Sequence, residues 1–115
     1  MLKQPLTVRN LTDELKKLKD KTRAINVYNH IGELTENITL FDEKYCVILS
    51  GNADISKEPL TVQVLIDELQ KLKDKTNIVN VYNKKGEFTG NFEIVDKENC
   101  VILLGKKPFY KQYDE

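Results

Sequence analysis

The chain predicts an α+β protein built from two tandem units, each a helix followed by a three-stranded antiparallel meander, packed about a pseudo-twofold. Three observations predict it: an internal duplication, a helix-period segment opening each copy, and a twofold-period apolar alternation after it. Residues 5–51 align without a gap on residues 59–105 at an offset of 54, with 28 of 47 positions identical. The chain therefore divides into repeat 1 at 1–51, a linker at 52–58, repeat 2 at 59–105 and a C-terminal tail at 106–115.

Each copy opens with a helix signal. Thr7 and Thr61 are placed as N-caps, whose hydroxyls accept from otherwise orphaned backbone N–H groups, and the pairs Leu6/Leu11 and Leu60/Leu65 have hydrophobic-staple spacing. Val8, Leu11, Leu15 and Leu18 recur at spacings of three and four, as do Val62, Leu65, Leu69 and Leu72, which predicts one apolar stripe on a helix of about three turns. After Asp20 the period becomes twofold. Strands are expected at 24–29, 33–41 and 45–50, separated by an Asn-X-X-Gly turn at 29–32 and a polar turn at 42–44, and again at 78–83, 87–95 and 99–104. Short connections between neighbouring strands favour antiparallel pairing within each copy.

Differences between the copies assign faces. Ala24/Ile78, Ile25/Val79, Leu34/Phe88, Ile38/Phe92, Leu40/Ile94 and Phe41/Val95 exchange apolar for apolar and are read as core. Arg9/Gln63, Lys16/Gln70, His30/Lys84 and Thr39/Glu93 exchange polar for polar and are read as surface. Asn10/Val64, Thr12/Ile66 and Ser50/Leu104 turn polar into apolar in copy two, so the halves present different surfaces. A unit of 47 residues is near the lower limit for one self-sufficient core. The third strands are apolar on both faces, and the sibling repeat is the expected layer over the second face.

Composition narrows function. The 18 basic and 18 acidic residues cancel, which removes the long-range attraction that drives non-specific binding to phosphate backbones. Only Arg9 and Arg23 are arginine, a poor composition for bidentate reading of bases or phosphates. The longest apolar run, Cys100-Val101-Ile102-Leu103-Leu104, falls far short of the roughly 20 residues of a transmembrane helix. The N-terminus lacks the pattern of a secretory signal, so no membrane contact and a cytoplasmic location are expected.

Candidate sites are few. Cys46 and Cys100 are read as free, buried small hydrophobes in a reducing compartment. His30 is a solvated turn residue, and the run Lys16, Lys17, Lys19, Lys21 and Arg23 a solvated helix end. Tyr28 and Tyr82, with Asn26, Asn29, Asn80 and Asn83, are read as the exposed side and end of edge strands. No catalytic, metal or cofactor motif occurs, so no enzyme activity, metal or cofactor is expected. Val64, off the apolar stripe of helix two, and Ile66, at its margin, replace polar residues of copy one, and with the tail aromatics Phe109, Tyr110 and Tyr113, which offer much contact area with few torsions to freeze, they are the candidate partner-binding residues.

The repeat pattern T-V-x-x-L-x-x-E-L-x-x-L, then V-x-V-Y, then G-E and a V-I-L strand, resembles short units of small uncharacterised phage and prophage proteins of low-GC Gram-positive bacteria. The resemblance implies an accessory protein acting on a host or phage protein, in the cytoplasm of the bacterial host. The functional expectation is a non-enzymatic protein-binding module, with association of two copies left open. The alternative is a nucleic-acid-associated phage protein contacting phosphate through its lysine-rich helix ends and tail.

Overall fold

The structure is a computed structural model that describes residues 5–52 and 58–108. Its elements are α1 (Val8–Lys16), β1 (Ala24–Tyr28), β2 (Leu34–Thr35), β3 (Ile38–Asp42), β4 (Cys46–Gly51), α2 (Val62–Gln70), β5 (Ile78–Tyr82), β6 (Phe88–Thr89), β7 (Phe92–Asp96) and β8 (Cys100–Gly105). No helix of the described residues is long and apolar enough to cross a membrane.

Both helices begin where the hydroxyls predict. Thr7 accepts from the Asn10 N–H at 3.1 Å while the Asn10 side chain accepts from the Thr7 N–H, closing a capping box. Thr61 accepts from the Val64 N–H at 3.2 Å, and Val64 has no polar atom with which to reciprocate. The other first-turn donors cross to the opposite copy. The N–H groups of Val8 and Arg9 donate to the carbonyls of Asn77 and Lys75, and those of Val62 and Gln63 to the carbonyls of Arg23 and Lys21. Each helix N-terminus is thus satisfied in part by its own cap and in part by carbonyls of the opposite repeat.

The α+β arrangement of separate helix-plus-meander units is overturned. The strands form one eight-stranded mixed sheet in the order β3-β4-β5-β1-β8-β7, with β2 on β1 and β6 on β5, and only two short helices accompany it. The first strand of each copy does not pair with the third strand of its own copy. Instead β1 runs parallel to β8, with Ile25 opposite Val101, and β5 runs parallel to β4, with Val79 opposite Val47. The expected strands 33–41 and 87–95 also break in two. Thr35 turns its hydroxyl onto the Asn37 N–H at 3.0 Å and Thr89 does the same for Asn91 at 2.8 Å, so the chain leaves one neighbour and joins another. Following the pairs from β1 to β2, across the corner to β3, β4, β5 and β6, across the second corner to β7, β8 and back to β1 closes a circuit.

The core lies inside that circuit. Ile25, Val27, Val47 and Leu49 join Val79, Val81, Val101 and Leu103 from the sheet, and Leu11, Leu15, Leu65 and Leu69 from the helices, all fully buried. The sibling repeat therefore supplies strands within the same sheet instead of a layer over its second face. That second face points outward, and Cys46 and Cys100 lie on it as free thiols, half-buried where full burial was expected. Of the residues read as core, Leu34, Phe88, Phe41 and Ile78 are exposed on the outer side, since an apolar exchange does not specify which face it occupies.

Candidate functional site

The two N-x-x-G turns organise one end of the molecule. Asn29 Oδ1 accepts from the N–H groups of Ile31 and Glu33 at 3.0 and 2.9 Å, and Asn83 Oδ1 accepts from those of Lys85 and Glu87 at 2.9 and 3.0 Å. Gly32 and Gly86 take φ of +83° and +76°, the left-handed region that other residues rarely adopt. A Cβ on either would collide with the opposite turn, at the carbonyl of Lys84 or of His30. The turns are therefore packed backbone to backbone across the two copies.

That packing sets β1 against β5 at a single residue pair, Tyr28 opposite Tyr82. Leu34 lies opposite Tyr28 and Phe88 opposite Tyr82, whose rings stack at 4.3 Å between centroids. The four side chains make one continuous apolar strip, Leu34-Tyr28-Tyr82-Phe88, with Leu34 47% and Phe88 45% exposed. Both strands are central in the sheet, so the reading of the two tyrosines as edge-strand residues is corrected. Around the strip the outer wall is nearly uncharged. Among the described residues of the six strands in the main sheet order, only Glu93 brings a charge to this face, and it pairs with Lys106 at 3.3 Å. In a chain with 31% charged residues this is a strong local depletion.

Two further features flank the wall. Lys84, Lys85, Lys106 and Lys107 surround a cleft of about 190 Å³ with Glu87. At the far edge, β3 and α2 enclose a groove of about 300 Å³.

The predicted partner residues separate. Val64 is 45% exposed and lines that groove, whereas Ile66 is 3% exposed and belongs to the core. Phe109, Tyr110 and Tyr113 lie outside the described residues. The basic run is partly consumed by the fold. Lys21 Nζ donates to the Leu18 carbonyl at 2.6 Å, Lys17 pairs with Glu14, and the nearly buried Arg23 pairs with Asp96 of the other copy and donates to the Lys97 carbonyl. Asp20 and Asp74 are held below the ordinary carboxylate value by hydrogen bonds from the hydroxyls, then the N–H groups, of Thr22 and Thr76. They are loop staples. The described residues contain no group of three or more His, Cys, Asp or Glu suited to a metal ion.

Sequence reasoning missed Leu34 and Phe88 as surface residues. The signal was available in principle, because each follows a turn glutamate directly and falls opposite the tyrosine before the turn.

No family model, curated protein or solved structure matches the chain.

Proposed function

We propose that the protein is a non-enzymatic protein-binding module whose contact surface is the strip Leu34-Tyr28-Tyr82-Phe88. The observation that carries this reading is a continuous, half-exposed aromatic and aliphatic strip on a wall nearly emptied of charge. Large aromatic groups on a rigid base contribute contact area with few torsions to freeze, and interface centres are depleted of charge in the same way. The partner chemistry that fits is a neutral, apolar protein surface. A phage or prophage accessory role, with a host or phage protein as target, rests on the repeat pattern of the sequence.

The lysine cleft at Lys84, Lys85, Lys106 and Lys107 favours the second reading, a nucleic-acid-associated protein. The two are separated by where and how they fail. A photo-crosslinking residue at Phe88 should capture a discrete protein that the same residue at Lys17 does not, and capture should survive 0.5 M salt. Capture at both positions alike overturns the strip. Retention on heparin that is lost in Lys84→Glu and falls steeply with salt supports the nucleic-acid reading instead.

A further inference from the structure

We infer that the groove between β3 and α2 takes an extended peptide segment of a partner protein, which adds to β3 as a further strand; this site is separate from the aromatic strip. β3 is the end of the sheet order and, among the described residues, pairs only with β4. In its antiparallel ladder the groups of Asn37 and Glu43 face β4, since Asn52 donates to the Asn37 carbonyl and Glu43 donates to that of Cys46. By alternation the N–H and C=O groups of Ile38 and Leu40 face outward, toward the groove. Among the described residues nothing bonds to them.

The fold itself uses this edge one step earlier. The N–H of Leu60 donates to the Glu36 carbonyl at 3.2 Å, so an extended segment already lies against the edge where the groove begins. Beyond Leu60 the chain turns away into α2, and no described residue matches the outward groups of Ile38 and Leu40. The opposite wall carries Val64, with Glu68 the one charged side chain lining the groove. The volume of about 300 Å³ suits a few side chains of an added strand.

The ligand chemistry follows. Outward backbone groups in alternation recognise an extended backbone, the recognition mode of strand addition. The apolar floor selects apolar residues at alternate positions, while Glu68 at its margin is already paired with Lys71 at 3.1 Å and sets no charge preference. The two copies differ at this site. The position of Val64 is held by Asn10 in the first helix, and that of Ile38 by the larger, buried Phe92 on β7. The polar Asn10 and the bulk of Phe92 leave the equivalent edge poorly suited to an apolar segment, so one chain carries one such site.

The test pans a displayed library of random heptapeptides against the full-length chain and returns the enriched sequence as a free peptide. The peptide is expected to carry apolar residues at alternate positions and, at saturation, to slow amide hydrogen exchange at Ile38 and Leu40 at least tenfold. Val64→Glu, at an exposed position, should weaken binding at least tenfold, whereas Lys17→Glu on the other helix should change it less than twofold. The inference is overturned by failure to enrich any sequence, by binding that ignores Val64→Glu, or by protection confined to other amides. Concentration-dependent dimerisation that protects the same amides without peptide would assign the edge to a second copy and equally overturn it.

Discussion

Replacing Gly32 by alanine tests whether the two turns are packed against each other as described. Three contributions set the size of the effect. A non-glycine residue at φ near +83° costs about 1–2 kcal/mol in local sterics. The new methyl meets the carbonyl of Lys84, a backbone group that yields only if the opposite turn moves, and such overpacking typically costs about 1–3 kcal/mol. Against these, alanine lowers the entropy of the unfolded chain and returns about 0.4–1 kcal/mol. The net expectation is a loss of about 2–4 kcal/mol, or about 10–20 °C in Tm for a chain of this size. Gly90→Ala is the matched control. Its Cβ would meet a side-chain carbon of Ile78 at 3.2 Å and the Asn80 side-chain oxygen at 3.3 Å, and its backbone is not left-handed, so it should cost less than about 1 kcal/mol. Urea unfolding with an unchanged m-value measures both. Because Gly86 meets His30 in the reciprocal contact, Gly32→Ala and Gly86→Ala together should cost less than their sum, once the first has displaced the shared interface. Equal losses for Gly32→Ala and Gly90→Ala would refute the turn-on-turn packing.

Leu15→Ala and Leu69→Ala should each cost about 2–5 kcal/mol, and fluorescence probes placed in either copy should report one coincident transition; two separate transitions would show that the copies fold independently. Arg23→Asn, which installs the residue of the equivalent position in copy two, should cost about 1 kcal/mol through loss of the Asp96 pair, and the difference should shrink in 1 M NaCl, whereas a salt-independent loss would locate the effect in packing. Asp20 and Asp74 have folded-state values below the ordinary 3.8, so their contribution is present above that value and is lost as pH falls through the folded-state value. Asp20→Asn and Asp74→Asn should therefore be less stable than the natural chain at pH 7 and converge with it in strong acid; a gap that stays constant with pH would remove the carboxylates from the acid limb.

Local features were legible because they are encoded locally. The cap hydroxyls of Thr7 and Thr61, the leucine stripes and the two N-x-x-G turns all occupy their expected places. Pairing partners were not. The alternation of Ile25 and Val27 places both on one face but says nothing about which strand lies beside them, and an in-copy meander and a cross-copy parallel pair bury the same residues. The corners at Asn37 and Asn91 were missed because Leu34, Ile38 and Leu40, like Phe88, Phe92 and Ile94, keep one twofold register on either side of Glu36 and Gly90, the break being made by Thr35 and Thr89 hydroxyls that accept from the N–H groups of Asn37 and Asn91. Of the candidate surface, Val64 was found from its departure from the helix stripe. Leu34 and Phe88 were assigned to the core because hydrophobic identity fixes a preference for company, and here that company is partly Tyr28, Tyr82 and solvent.

The exchange of first strands between copies bears on how the surface is free to vary. Two separate chains meeting in this way would be symmetric, so every patch would occur twice and a change useful on one side would be imposed on the other. Here the reciprocal strands belong to one polypeptide, and their meeting is an internal event independent of protein concentration. Each position on the wall has a single gene-encoded instance. Substitutions such as Asn10 against Val64, or Asn77 against Arg23, can then accumulate on one side alone while the shared interior holds its doublet pattern. A fused pair of this kind keeps the economy of a repeated scaffold and is released from its symmetry.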